Sequence, residues 1–319
     1  MSFFRFCFFI LFIANFVNAQ SIPADEENIP FLVTFGNSAK KGYGDDDHQQ
    51  IFFLSIPKNF NEPFFIRVFD PDVGGKNDEA IGNFNSVSRF SVYGGFGTFS
   101  ERASTNFNFQ SGNLLATRNF GYDQTVDNKW FTFGPFDPTQ GEDVNELDGR
   151  IFKIVSSGLS GDDGNLYRYF VSTQPNRNTA VNGANAFTFK YTFRLPSISN
   201  EVVHIYPYIN SDVISVKQFN FDFDQDGSIQ IVSAAKNGLE VAQSMNADWV
   251  SSTHEITEIE HNRSLDIRFI KPTRNPLKNN NIVFYMTNQY GEQLPFYNVP
   301  IGGIPRYQYK ISVKRVIRN

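Results

Sequence analysis

Large apolar and polar residues alternate strictly at several places along this chain, and that pattern dictates strands. Phe187, Phe189, Tyr191 and Phe193 oppose Thr188, Lys190, Thr192 and Arg194, while Phe64, Ile66 and Val68 face opposite to Arg67. In the last third, Leu265, Ile267 and Phe269 alternate with Asp266 and Arg268, and Tyr307, Tyr309, Ile311 and Val313 alternate with Gln308, Lys310, Ser312 and Lys314. Successive side chains of a strand point to opposite faces, so each run lays rings on one surface and wet groups on the other. Aromatic residues make up 16% of the chain, 36 of them Phe, which favours pleated, half-buried surfaces over helical bundles. Turn clusters such as Asp70-Pro71-Asp72-Val73-Gly74-Gly75 and Ser160-Gly161-Asp162-Asp163-Gly164-Asn165 separate the runs. The best helix candidate is residues 234–245, weakened by Gly238. The expectation is an all-β protein.

A length of 319 residues suits two domains. Residues 29–210, with acidic Gly-rich turns, suit a jelly-roll-like β-sandwich, and residues 211–319, with about seven strand-like runs, an immunoglobulin-like β-sandwich. A boundary near Gly158 is the alternative to one near Asn210. Residues 20–28 are polar and read as a flexible lead. No fixed short repeat is present, which argues against solenoids and propellers.

Residues 1–19 carry Arg5, an apolar run from Phe6 to Ala14, and small residues before a cut after Ala19, the pattern of a secretory signal peptide. Asn15 and Asn18 interrupt the run short of the ~20 apolar residues a spanning helix needs, and no later segment is long enough. The expected address is secreted, at the cell surface or in the periplasm, with no transmembrane segment once the leader is removed. Cys7 lies inside that leader, so the mature chain has no cysteine and must find rigidity in a larger core or bound calcium. A net charge of −5 argues against nucleic acid as a partner.

Asp222-Phe223-Asp224-Gln225-Asp226-Gly227-Ser228-Ile229 places oxygen ligands at alternate positions before a glycine, the first two-thirds of a calcium loop. The match stops at Ser233, where an EF-hand needs a bidentate Glu. The other reading puts Phe219, Phe221 and Phe223 in a core, with Asn220, Asp222 and Asp224 in water. Further acidic groups are Asp45-Asp46-Asp47, Asp70 and Asp72 with Asn77-Asp78-Glu79, and Asp162 with Asp163. Carboxylates packed so closely repel unless solvated or bridged by a cation, and loops distant in sequence can meet at one end of a sandwich. Asp222, Asp224 and Asp226 are the first candidate calcium ligands, and Asp70, Asp72, Asp162 and Asp163 the second group.

Support for catalysis is thin. His254 to His261 reads as a strand with its two histidines on opposite faces, and neither a Gly-x-Ser-x-Gly elbow nor a phosphate loop is present. A glycosidase needs only two carboxylates in a cleft. Trp130, Trp249, Tyr206 and Tyr208, with Tyr290 and Tyr297, could stack on sugar rings.

Four segments, Ile29-Pro30-Phe31-Leu32-Val33-Thr34-Phe35-Gly36, Ile66-Arg67-Val68-Phe69-Asp70-Pro71-Asp72-Val73-Gly74-Gly75, Gly161-Asp162-Asp163-Gly164-Asn165-Leu166-Tyr167-Arg168-Tyr169-Phe170 and His204-Ile205-Tyr206-Pro207-Tyr208-Ile209, together resemble a group of uncharacterised secreted proteins of gram-negative bacteria. That resemblance spans nearly the whole mature chain and implies no activity. From Arg67 to Gly75 the chain is also similar to pre-peptidase C-terminal-type sandwiches, which accompany secreted enzymes and often bind calcium. The expected function is therefore a secreted, calcium-stabilised binding or structural module, with carbohydrate or a cell-envelope protein as partner. The alternatives are a polysaccharide hydrolase with a carboxylate pair in the first domain, and an envelope assembly subunit pairing through exposed strand edges.

Overall fold

The structure, a computed structural model, describes residues 21–101, 110–147, 149–272 and 280–309. Among them the regular elements are strands and five short 3-10 turns, and every ladder is antiparallel. The expected helix at residues 234–245 is absent; its Gly238 sits at φ +76° inside a short strand, Asn237–Glu240. No helix of the described residues is long and apolar enough to cross a membrane. The expected leader and positions 311 and 313 of the last strand-like run lie outside the described residues, and 307–309 are not in a strand.

A nine-stranded sheet forms the spine. Its order is Trp249–Glu255, Ser215–Phe221, Asn281–Asn288, Lys190–Arg194, Phe31–Phe35, Gly164–Ser172, Phe64–Phe69 and Trp130–Phe136, with Ser21–Ile22 added beside Gly164–Ser172. A seven-stranded sheet runs Phe296–Tyr297, Asn185–Thr188, Gln49–Pro57, Gly149–Ser160, Val87–Gly94 and Asn113–Phe120, with Glu142–Val144 paired to Gly149–Ser160. The two pack face to face through rings. Phe52 meets Tyr169 and Tyr191 at 6.3 and 5.3 Å, Phe90 meets Tyr167 edge-on at 4.9 Å, and Phe64 meets Phe152 at 4.9 Å. Burying side chains of this size contributes about 1.5–3 kcal/mol each.

Farther along the spine a four-stranded sheet, Val202–Ile205, Asp266–Ile270, Ser228–Val232 and Asn237–Glu240, takes over as the partner layer. Its Phe269 packs on Phe193 and Phe284 of the long sheet at 5.3 and 5.2 Å. The boundary expected near Asn210 thus falls within a shared structure. Lys190–Arg194 pairs with Asn281–Asn288 over five residues, so strands from both sides of 210 belong to one sheet, and one continuous core runs across them. Main-chain pairing between segments remote in sequence leaves no trace in composition, which is why two sandwiches were expected as separate units.

The described part of the expected flexible lead, residues 21–28, is docked on the fold. Ile22 and Glu27 are buried, Ser21–Ile22 is hydrogen-bonded into the spine, and Asn298 Nδ2 donates to Ser21 O at 3.2 Å.

Candidate functional site

The strand Gln49–Pro57 generates the main concavity by simple alternation. Gln50, Phe52, Leu54 and Ile56 are buried toward the spine. Gln49, Ile51, Phe53, Ser55 and Pro57 point the other way, into a cleft of about 1350 Å³ on the outer face of the seven-stranded sheet. Both faces of this strand carry apolar residues, a signal that a second layer or a ligand covers the outside. The base is a set of mutually packed rings. Phe53 stacks on Phe187 at 5.4 Å and takes Phe99 and Phe189 edge-on at 5.4 and 5.8 Å, while Tyr297 contacts Phe187 at 5.2 Å and Tyr208 at 6.1 Å. Phe53 and Phe187 are buried; Phe189 and Tyr208 are half-buried and face the cleft. Around this base the rim is rich in amides, including Asn59, Asn182, Asn185, Asn210 and Gln293, with carboxylates at Glu146 and Glu292.

A second depression of about 970 Å³ adjoins the first and shares Lys190, Asn288 and Gln293 with it. Here Phe219 lies flat on Tyr285, with centroids 4.4 Å apart and planes 8° from parallel, and Trp249 meets Tyr285 edge-on at 5.3 Å. Phe219 reaches this outer face because the strand Ser215–Phe221 buries Val216, Gln218 and Asn220 instead. That inverts the expected inward Phe219 and outward Asn220. The buried amides are satisfied: Asn220 Nδ2 donates to Ala242 O at 2.8 Å, Gln218 Nε2 donates to Ser252 Oγ at 2.9 Å, and Asn220 Oδ1 accepts from Ser244 N–H at 2.8 Å.

Of the six aromatics expected as ligand platforms, Tyr297 lines the cleft and Tyr290 lines neither concavity, and the fold divides the other four two from two. Tyr208 lines the cleft and Trp249 the adjoining depression. Tyr206 is buried, with its hydroxyl donating to Glu26 O at 3.2 Å, so it cannot serve as a platform. Trp130 sits at the far edge of the spine under the Arg67 guanidinium, 5.1 Å away, and lines neither concavity.

The acidic residues separate more sharply. Asp222, Asp224 and Asp226 do not gather around a centre. Asp222 Oδ1 accepts from Ala247 N–H at 2.6 Å, Asp224 is exposed, and Asp226 pairs with Lys271 Nζ at 2.9 Å. Asp162 is half-exposed, and Asp163, expected beside it as a ligand, is a buried clamp. It accepts from the N–H groups of Ile81, Asn85 and Ser86 and from Ser86 Oγ at 2.8–3.1 Å, and so fixes the 78–86 loop. Asp70 and Asp72 do converge, but with Asp127, which arrives from the loop before the edge strand Trp130–Phe136. Burial, with the neighbouring charges of Asp70 and Asp127 adding, pushes the Asp72 carboxyl up to about 6. Asp45, Asp46 and Asp47 form the second close group, and there Lys190 Nζ lies 2.6 Å from Asp46 and 3.0 Å from Asp47.

The expected strand through His254–His261 ends at Glu255, and a 3-10 turn, Glu258–Glu260, follows. Glu260 is buried there, taking Lys236 Nζ on both oxygens at 2.7 Å, while His254 meets Ser252 Oγ and His261 meets Val213 O, both at 2.9 Å. Compared with known proteins, the chain matches no family model and has no significant match to a curated sequence.

Proposed function

We propose that this chain is a secreted binding module of the cell surface or periplasm whose outer cleft holds a polysaccharide strand. The observation that carries the reading is the cleft itself: half-buried rings on a packed aromatic base, ringed by amide side chains. Flat apolar surfaces accept the C–H faces of pyranose rings, and amides can both donate to and accept from hydroxyls. Continuity with the Trp249 depression through Lys190, Asn288 and Gln293 supports a ligand of several sugar units rather than one.

Binding of the full chain to arrayed glycans, followed by calorimetry on the best of them, tests this. Tyr208→Ala and Trp249→Ala should each weaken binding about tenfold, equivalent to ~1.4 kcal/mol, whereas Trp130→Ala should leave it unchanged. Wild-type affinity in both cleft variants would remove the reading. Release of reducing ends that disappears in Glu146→Gln or Glu292→Gln would replace it with hydrolysis.

A further inference from the structure

Asp70, Asp72 and Asp127 each offer one carboxylate oxygen, and these oxygens all lie within 4.8 Å of one another. Two ligands of one calcium ion at 2.3–2.6 Å can be no more than about 5 Å apart, so this spacing is that of a common coordination sphere. Proximity alone would be weak evidence, because acidic loops are common. A second observation points to a missing partner. Asp72 has no exposed surface; its Oδ2 accepts from Asp123 N–H at 3.0 Å, and its Oδ1 has no hydrogen-bond partner at all. A buried carboxylate oxygen without a donor is among the most expensive arrangements a fold can hold. A second buried acceptor without a donor, Asn165 Oδ1, belongs to a side chain whose Nδ2 donates to Pro71 O, between the two aspartates.

Among the described residues no side-chain cation forms an ion pair with these carboxylates. Lys129 Nζ is held by Gln124 O and Thr125 O, and the Arg168 guanidinium lies over Phe69 and Phe31. The Arg168 charge still acts on Asp70 through space, and the remaining neighbours orient the acids as uncharged donors. Asn128 N–H and Asn77 Nδ2 donate to the two oxygens of Asp70 at 2.7 and 2.6 Å, and Gly75, at φ +80°, leaves space that a Cβ would take from Asp127 Oδ1.

We propose that Asp70, Asp72 and Asp127 bind a calcium ion that ties the 70–79 loop to the 121–128 loop, with Asp72 Oδ1 as its buried ligand. All-oxygen ligands on two irregular loops fit calcium, which tolerates flexible geometry, better than magnesium, which demands a near-ideal octahedron. The site is separate from the cleft, and its test does not depend on any sugar ligand.

The test uses the full chain after chelation, titrated with calcium and, in parallel, with magnesium, reading heat by calorimetry and the thermal midpoint. Calcium should bind and raise the midpoint, with magnesium giving a much smaller rise. Asp127→Asn changes a half-exposed side chain and leaves Asp72 in place; it should keep the chelated midpoint and lose at least tenfold in calcium affinity. Asp72→Asn should abolish binding if it folds. Absence of any calcium-dependent heat in the wild type overturns the proposal, as does full calcium affinity in Asp127→Asn. A response removed by Asp46→Asn or Asp224→Asn instead would place the ion elsewhere and overturn it equally.

Discussion

Two acidic triplets of nearly the same composition meet opposite fates in this fold. Asp45, Asp46 and Asp47 sit beside Lys190, whose ammonium reaches two of the three carboxylates. Asp70, Asp72 and Asp127 have backbone and amide donors around them but no side-chain cation paired with them among the described residues. The first group carries its counter-charge on the chain, and the second leaves a buried oxygen without a donor. Clustered carboxylates therefore do not by themselves report an ion; what reports it is whether the rest of the fold delivers an internal neutraliser.

Asp163 provides the strongest contrast to both, because four hydrogen-bond donors of one loop hold it. Asp163→Ala would strip those donors of their acceptor inside the fold, where each unsatisfied group costs about 1–3 kcal/mol. The expected loss is about 5 kcal/mol, read from urea denaturation, and added calcium should not restore it. Recovery with calcium would mean that Asp163 is an ion ligand after all, erasing the distinction between a donor-clamped acid and an ion-bridged one.

A proton is the remaining way to hold a buried acid, and Glu27 uses it. Burial pushes its carboxyl up to about 8, against the pull of Ala24 N–H and the Tyr191 hydroxyl, and its Oε1 has no partner. An unfolded glutamate ionises near 4.5, so between pH 4.5 and about 8 the unfolded chain has lost a proton that the folded chain keeps. Stability then falls as pH rises through that window and levels off above it, by about 5 kcal/mol in all. Glu27→Gln should flatten the decline, gaining on the wild type at pH 9 and matching it near pH 5 in denaturant melts. Parallel profiles for the two proteins would show that Glu27 is ionised in the fold and must be counted with the charged groups.

How much of this was legible beforehand follows from the range of the interactions. The alternation of Leu265 to Phe269 and of Phe187 to Phe193 is local and declared an all-β fold, but the second run is two strands, Asn185–Thr188 and Lys190–Arg194, that part at Phe189 into different sheets and bury Thr188 and Thr192 of the expected wet face. Which face of the strand Ser215–Phe221 goes inside was not legible, since Gln218 and Asn220 are acceptable in the interior only because Ala242, Ser244 and Ser252 arrive from elsewhere to bond them. The single long sheet was hidden for the same reason. Among the acids, Asp70 and Asp72 were visible as a pair, but Asp127 is remote in sequence and carries no motif of its own. In the cleft and the adjoining depression, Tyr208 and Trp249 stood out by residue type. Phe53, Phe219 and Tyr285 did not, because an aromatic on a strand looks the same whether it faces a core or a ligand.

The smallest of these effects returns to the two triplets and tests their difference directly. Lys190 and Asp46 are each about one-sixth exposed at the side chain, and burial, which alone would lower the Lys190 pKa, is outweighed by Asp47 and Asp46, which hold the ammonium above its ordinary range. Lys190→Met keeps the length and packing of the stem, removes the charge, and leaves Asp46 and Asp47 facing each other. Breaking such a pair from one side should destabilise the chain by about 3 kcal/mol in urea melts. If internal neutralisation is what separates the two triplets, part of that loss should now be regained by calcium, above the response of the Asp127→Asn background in which the comparison is made. A loss below about 1 kcal/mol would class the pair with ordinary surface salt bridges. A full loss with no calcium rescue would show that three neighbouring carboxylates need more than the removal of their lysine to hold an ion, and that the buried, donor-free oxygen of Asp72 is the decisive feature of the other site.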